Sequence, residues 1–341
     1  MSRTTAPHLA DSPVITSRRG QFWIPGDIVS TDHGTVQRGP MYVTWEAPEL
    51  VTQPHPVVLV HGGGGQGSEW LYTVDGKPGW AAHFVAAGFA TYVVDRPGMG
   101  RSPYNPEAIG PMGAAFPYEA AIGLFAPPAR AAEHTQWPYS REIGGRELDQ
   151  LLAGLGPLPA DLAASQELDA ARIVSLLDVI GPAVLVTHSA GGPAGWLVAD
   201  KAPDDVVAIA AIEPMGPPFA EFPFGALGWG LTTAAITFAR EFQRAEDIRD
   251  AAPADLRIPS FTDKPVAVFT ASASPFRDFA PATVDFLSTA GAKATWVDLQ
   301  DSGIVGNGHG LIFEANAHET VRPVIDWISQ LPAEPQHPTP P

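Results

Sequence analysis

One short segment, residues 184–192, constrains what this chain can fold into more than any other. It reads Val-Leu-Val-Thr-His-Ser-Ala-Gly-Gly, and its β-branched, apolar start predicts a buried strand. Residues 192–198 have the pattern of a helix, so a small-x-Ser-x-Gly turn around Ser189 joins strand and helix directly. Such a turn holds a serine hydroxyl beside backbone N–H groups at the positive end of a helix dipole. The segment indicates either a nucleophilic serine or a buried strand with an ordinary Ser-Gly turn, and Thr187 stands where glycine is usual.

A glycine run earlier in the chain favours the first of these interpretations. His61 and the four glycines 62–65 directly follow the apolar strand 56–60. Glycine lets a backbone approach a ligand closely, and a His-Gly-Gly run after an early strand is typical of an acyl-transfer oxyanion hole. A phosphate cradle is excluded because no Gly-Lys-Ser/Thr follows the run and no acidic ribose-binding residue ends the next strand.

Four landmarks together resemble those of serine esterases with the α/β-hydrolase fold. These landmarks are residues 61–63, 95–102, 188–192 and 308–310. They occur in the same order as in that family and extend over about residues 55–330. The resemblance is strongest to a branch of stereospecific bacterial carboxylesterases, to which the stretches 70–80 and 206–216 are also similar. It implies an α/β fold with a mostly parallel central sheet, helices on both faces and inserted cap segments.

Composition agrees with a globular enzyme and limits its partners. The chain has 341 residues, of which 45% are hydrophobic, enough to bury one large core. It contains no cysteine, which excludes disulfides, thiolate metal sites and a cysteine nucleophile. A formal charge of −17 argues against nucleic acids and anionic membranes as partners. We therefore expect a small-molecule partner, whereas the sequence does not predict an oligomeric state.

The organisation along the chain predicts a single catalytic domain. Residues 1–19 are expected to form a flexible arm and contain no continuous apolar segment, so we predict no signal peptide and a cytoplasmic location. The domain is expected to cover 20–331, with cap insertions at about 104–166 and 217–262. Residues 332–341 form a Pro-rich tail that we expect to be disordered.

The periodicity of the chain predicts the secondary structure between these landmarks. An antiparallel hairpin is expected from 21–28 and 35–46. Further strands are predicted at 57–60, 89–94, 206–212, 266–270 and 294–299, and helices at 79–87, 167–179, around 235–244 and at 320–331.

The predicted base for Ser189 is His309. It lies in the flexible turn Gly-Asn-Gly-His-Gly near the C-terminus, which can direct an imidazole at the serine. We expect His188 to point away from the serine, His61 to brace the oxyanion loop and His318 to lie on the surface. The ten histidines do not cluster with carboxylates at metal-ligand spacing, so no metal and no cofactor are predicted.

Two carboxylates compete for the position of the triad acid, which must orient the imidazole and stabilise its charged form. The family usually places an Asp after its seventh strand, but residues 270–274 carry no carboxylate there and Asp278 follows four residues later. Glu213 directly ends the sixth strand and is followed by a proline. The resembling branch also uses a Glu at that place, so we favour Glu213 and leave Asp278 as the alternative.

The resemblance implies a serine carboxylesterase that hydrolyses a neutral, largely apolar ester through an acyl-enzyme. The oxyanion would be held by the backbone N–H groups of Gly63 and Ala190. The substrate-binding side chains that we predict are Trp70, Phe222, Trp229 and Phe313.

The same fold hosts other reactions, so the fold alone does not decide the chemistry. A serine at the turn excludes epoxide hydrolases and dehalogenases, which need a carboxylate nucleophile. Lactonase, lyase and carbon–carbon-bond hydrolase activities stay open, and so does a non-catalytic protein that binds a ligand.

Overall fold

A twisted sheet of eight strands forms the centre of the molecule in a computed structural model that describes residues 16–223 and 225–333. The strands of the chain are β1 (Ser17–Ile24), β2 (Asp27–Thr31), β3 (Gly34–Arg38), β4 (Met41–Pro48), β5 (Val57–Val60), β6 (Thr91–Asp95), β7 (Ala183–His188), β8 (Val206–Ile212), β9 (Glu221–Phe222), β10 (Gly225–Ala226), β11 (Pro265–Thr270) and β12 (Lys293–Asp298). The central sheet has the order β1-β4-β6-β5-β7-β8-β11-β12, whereas β2–β3 and β9–β10 form separate two-stranded sheets.

The central sheet is mostly parallel. Strands β1 and β4 pair antiparallel, and β4 pairs antiparallel with β6. Every other neighbour pair, from β6 through β5, β7, β8 and β11 to β12, is parallel. All residues of β5 and β7 are buried, as expected for parallel strands that are covered on both faces.

Helices cover both faces of this sheet. They are α1 (Trp80–Ala86), α2 (Pro106–Ile109), α3 (Tyr118–Phe125), α4 (Arg146–Ala153), α5 (Leu162–Ile180), α6 (Gly192–Lys201), α7 (Glu246–Arg249), α8 (Ala280–Ala290), α9 (Ala317–Thr320) and α10 (Arg322–Ser329). Side chains of β7 alternate between two hydrophobic cores: Leu185 packs with α5, α6 and α8, whereas Val184 and Val186 pack with α1 and α10. This arrangement confirms the predicted α/β-hydrolase fold.

The N-terminal strands differ from their predictions. The first strand begins at Ser17, within the predicted arm 1–19, because it pairs with β4 from Ser17 opposite Pro48. The expected single hairpin is two nested pairs, β1–β4 and β2–β3. Prolines at positions 25 and 40 cannot donate to a ladder and divide each long segment. Residues 1–15 of the arm and 334–341 of the tail lie outside the described residues.

The predicted helix around residues 235–244 is wrong. The described chain has no regular element there, and residues 234–239 alternate between buried and exposed. Ile236 and Phe238 reach the core from alternate positions, which is the period of extended backbone rather than of a helix. The predicted helix 167–179 starts earlier, at Leu162, because the Asp161 side chain caps it by accepting the backbone N–H of Ala164 at 3.0 Å.

The two predicted insertions contain the irregular parts of the molecule. The first, about 104–166, includes α2, α3 and α4 and runs into the start of α5. The second, about 217–262, includes β9, β10 and α7. The predicted closing helix 320–331 consists of α9 and α10, which are separated at Val321.

Candidate active site

The turn at Ser189 is a sharp, strained passage from β7 to α6. Ser189 has φ +51°, a left-handed conformation that residues with a side chain rarely adopt. A Cβ on Gly191 would lie 2.5 Å from the carbonyl oxygen of His61, so only glycine fits there. A Cβ on Gly195 would lie 2.9 Å from Cγ2 of Thr187. Because Gly195 has no side chain, it leaves space for Thr187, which stands where the turn usually has a glycine.

The structure brings Ser189, His309 and Glu213 together in one chain of hydrogen bonds. The distance from Ser189 Oγ to His309 Nε2 is 2.9 Å, and that from His309 Nδ1 to Glu213 Oε2 is 3.1 Å. All three residues are buried. With Nδ1 donating to the carboxylate, Nε2 presents its lone pair to the serine hydroxyl, the arrangement that a general base requires.

Glu213, and not Asp278, is the carboxylate that reaches His309. Glu213 ends β8 with φ +47°, and its Oε1 accepts the backbone N–H of Ala271 at 2.7 Å. The Ser274 hydroxyl donates to Oε2. The side chain of Asp278 is 74% exposed and lies 3.9 Å from a guanidinium nitrogen of Arg130.

Burial sets the charge state of His309. It lowers the pKa of His309 to about 3, because an imidazolium would lose its hydration at this site. The imidazole is therefore neutral at neutral pH and can accept a proton. Burial also raises the pKa of Glu213 above its ordinary value, while the hydrogen bonds from Ser274 and Ala271 act in the opposite direction by stabilising the carboxylate.

His188 does not point away from the site as predicted. Its ring centroid lies 4.9 Å from that of His309, and its Nε2 donates to the backbone carbonyl oxygen of His309 at 3.0 Å. Two phenylalanine rings also stack on the His309 imidazole, Phe276 at 3.9 Å and Phe125 at 5.5 Å between centroids. These neighbours were missed in the sequence because they come from separate segments with no motif of their own.

His61 and Arg96 fasten the glycine-rich loop. Nε2 of His61 accepts the backbone N–H of Arg96 at 2.9 Å, which agrees with the predicted bracing role. The Arg96 guanidinium donates to the carbonyl oxygen of Gly62 at 2.8 Å and to the buried Asp169 carboxylate at 2.9 Å. His318, as predicted, has an exposed side chain.

The two predicted oxyanion-hole residues are neighbours in space. A Cβ on Gly63 would lie 3.1 Å from Cβ of Ala190, so the two backbones approach closely beside Ser189. The Asp95 side chain accepts the backbone N–H of Gly67 at 2.6 Å, which holds the far end of the loop.

A small cavity of about 10 Å³ adjoins Ala190, and its walls contain polar side chains, those of Arg96, Ser165 and Gln166, as well as apolar ones. Its walls include Leu158 and Leu162 from the first insertion and Met215 from the loop after β8. These three side chains were not among the predicted substrate-binding residues.

None of the four predicted substrate-binding side chains lines this small cavity. Trp70 is fully buried and packs against Trp80 and His188. It therefore supports the His188 ring and does not line the cavity. Phe313 packs against His188 and borders a separate groove of about 270 Å³. Phe222 lies in β9, and Trp229 packs against the core that contains α5 and α6. Large aromatic side chains can pack in a core or line a pocket, so the substrate-binding role of these four residues stays a prediction.

The described residues contain neither a cluster of three or more potential metal ligands nor a helix long and apolar enough to span a membrane.

Known proteins agree with the fold. Residues 57–334 match the model of the Alpha/beta hydrolase family, and the chain belongs to that family. It is similar to the probable secreted lipase phiG from Fungal sp. (strain ATCC 74256), with 33% identity over 322 residues that cover 87% of this chain and 88% of the relative. Because that relative is named as secreted, the cytoplasmic location stays a prediction.

A solved structure described as that of a novel bacterial esterase is similar to this chain, with a TM-score of 0.70 and 24% identity. The similarity covers 95% of this chain and 99% of the other. At this identity the likeness shows the shared fold alone.

Proposed function

We propose that the protein is a serine carboxylesterase in which Ser189 is the nucleophile, His309 the general base and Glu213 the triad acid. The hydrogen-bonded series from Ser189 through His309 to Glu213 is the observation that carries the proposal. A serine alcohol is a weak nucleophile at neutral pH, and a neutral imidazole within hydrogen-bond distance is the group that activates it.

The reaction proceeds in two acyl transfers. Ser189 Oγ attacks the ester carbonyl carbon while Nε2 of His309 takes the hydroxyl proton, and the backbone N–H groups of Gly63 and Ala190 stabilise the oxyanion. The tetrahedral intermediate collapses, and the alcohol leaves with the proton from His309. Water then attacks the acyl-enzyme with His309 again as base, which releases the acid and restores the serine.

The surroundings of the nucleophile favour a neutral, largely apolar ester. Leu158, Leu162 and Met215 line the cavity beside Ala190. Burying a charged acyl group among these apolar side chains would be unfavourable, and the Arg96 guanidinium in the same wall is already paired with Asp169. The fungal relative is named as a lipase, and lipases also hydrolyse carboxylic esters.

A fluorophosphonate probe together with a series of p-nitrophenyl esters tests this proposal. The wild-type protein is expected to form one adduct at Ser189 and to hydrolyse short acyl esters. The variant Ser189→Ala should form no adduct and lose at least about 10⁴-fold in kcat, since removing a triad nucleophile costs about 10⁶ in a subtilisin. Ser329→Ala, on the exposed face of α10, is the matched control. More than a tenth of wild-type turnover in Ser189→Ala would contradict the proposal.

A further inference from the structure

A second buried polar cluster lies beside the triad, on the other side of the loop that carries His309. It consists of His134, Asn307, Glu314 and Asn316, and we call it the His134–Glu314 cluster. His134 comes from the first insertion, whereas the other three residues come from the C-terminal loop and the residues just after it. The proposed reaction uses none of these four residues.

Glu314 holds the backbone immediately before the base. Its carboxylate accepts the backbone N–H of Gly308 at 3.1 and 3.2 Å. The Asn307 amide donates to Oε2 at 2.8 Å, and Nε2 of His134 lies 2.8 Å from Oε1. Both oxygens of a completely buried carboxylate are therefore occupied by donors from two distant segments.

The backbone of the insertion is joined to the same loop on either side of His309. The N–H of Gln136 donates to the carbonyl oxygen of Gly306 at 2.8 Å, and the N–H of Ala315 donates to the carbonyl oxygen of Gln136 at 3.2 Å. A Cβ on Gly308 would lie 2.8 Å from the His134 ring, so the two segments are in close contact there.

Arg141 anchors His134 within the insertion. Its guanidinium donates to the carbonyl oxygen of His134 at 2.9 Å and to that of Trp137 at 3.2 Å. A second guanidinium nitrogen lies 3.3 Å from Nδ1 of His134, so the imidazole that meets Glu314 is held by its own segment as well as by the carboxylate.

We propose that His134 and Glu314 are positioning residues for His309, and that through them the first insertion controls the geometry of the base. This inference rests on the proposed function. A buried carboxylate is costly unless every lone pair is satisfied, and apolar side chains could fill the same volume. What apolar side chains could not do is hold the Gly308 N–H in one place, one residue from the imidazole that must meet Ser189 at 2.9 Å.

The expected effect is on turnover. A displacement of about 1 Å in a reacting group can cost about 10²-fold in rate. Glu314→Gln keeps the shape of the side chain but turns one acceptor oxygen into an NH₂ group. In either orientation this NH₂ group faces a hydrogen-bond donor, which is the His134 ring on one side and the Asn307 amide with the Gly308 N–H on the other. We expect kcat to fall about 10- to 100-fold while KM changes less than about twofold.

The matched control is Glu107→Gln. Glu107 also pairs with a histidine, His33, at 3.3 Å, but both side chains are on the surface. This variant should keep wild-type kcat and KM. His134→Gln, which retains an N–H donor at the position of Nε2, should have a higher kcat than His134→Leu.

A double-mutant cycle separates positioning from general support of the fold. If Glu314 acts through His309, Glu314→Gln should change the residual rate of a His309→Ala enzyme less than about twofold. An equal fractional loss in both backgrounds, or wild-type kcat in Glu314→Gln and His134→Leu, would overturn the inference. Thermal unfolding verifies that each variant is folded. If Glu314→Gln does not fold, the inference is tested by comparing the kcat of His134→Gln with that of His134→Leu.

The same measurements distinguish failure of this inference from failure of the proposed function. If Ser189→Ala and His309→Ala lower turnover by several orders of magnitude but the His134 and Glu314 variants behave like Glu107→Gln, only the positioning role is wrong. If Ser189→Ala keeps its turnover, the proposed function itself is wrong.

Discussion

His188 donates from Nε2 to the backbone carbonyl oxygen of His309, 3.0 Å away, although the two residues are 121 positions apart in the chain. His188, which directly precedes Ser189 in the chain, therefore supports the backbone of His309. Burial lowers the pKa of His188 to about 3, so its ring stays neutral and donates through one nitrogen only.

The first prediction concerns this bond. His188→Leu leaves the His309 carbonyl oxygen buried without a donor, which costs about 1–3 kcal/mol of unfolding free energy. It should also lower kcat, since the base loses one of its supports. His188→Gln retains an N–H near the position of Nε2 and should recover most of both quantities. Chemical denaturation and steady-state kinetics on the pair provide the check, and equal behaviour of the two variants would contradict a role for the hydrogen bond.

The second prediction concerns the turn at the nucleophile. Gly191→Ala places a methyl group 2.5 Å from the carbonyl oxygen of His61 and 3.0 Å from that of Val60. Overpacking against backbone cannot be relieved by a rotamer change, so we expect a loss of about 1–3 kcal/mol in stability and a lower kcat. Gly123→Ala in α3 is the control because its Cβ would meet nothing within 4 Å, and it should be neutral or stabilising. Differential scanning calorimetry of the two variants measures the contrast.

The sequence was sufficient to predict those parts of the candidate site whose residues are adjacent in the chain. The strand, turn and helix around Ser189 occupy consecutive residues, 183–201, so periodicity and two small residues identify them. The glycine run at 62–65 is equally local. Each of these segments follows a strand of one parallel sheet, and strand ends in such a sheet converge at one edge.

The remaining parts of the site depend on contacts between distant segments. His134 meets Glu314 across 180 residues, and no periodic pattern marks either of them. The choice between Glu213 and Asp278 also depended on structure, because Glu213 is selected by donors from Ala271 and Ser274 in the loop after β11. The helix expected around 235–244 failed for a related reason: the apolar residues at 235, 238, 239 and 242 have the spacing of a helical face, and only the packing against neighbouring elements shows that the segment is extended.

The third prediction tests the triad acid. Glu213→Gln removes the charge that stabilises an imidazolium and allows the amide to favour the wrong tautomer of His309. The corresponding Asp-to-Asn change in a serine protease lowers kcat by about 10⁴, so we expect a loss of at least about 10² with little change in KM. Asp278→Asn should match the wild type, since that side chain is exposed. The reverse pattern, with Asp278→Asn impaired and Glu213→Gln active, would move the acid to the loop after β11.

The last prediction concerns pH. The reactive form of the base is neutral imidazole, and burial places the pKa of His309 well below the ordinary histidine value of 6.5. Lowering the pH through 6.5 should therefore leave kcat/KM nearly unchanged, and the acid limb should appear only at lower pH, where imidazolium forms. Initial rates across a pH series, each followed by a return to pH 7 to verify that the enzyme survives, measure the midpoint. A reversible acid limb centred at 6.5 or above would contradict this prediction, because it would mean that stabilisation of the imidazolium by Glu213 outweighs the effect of burial on His309.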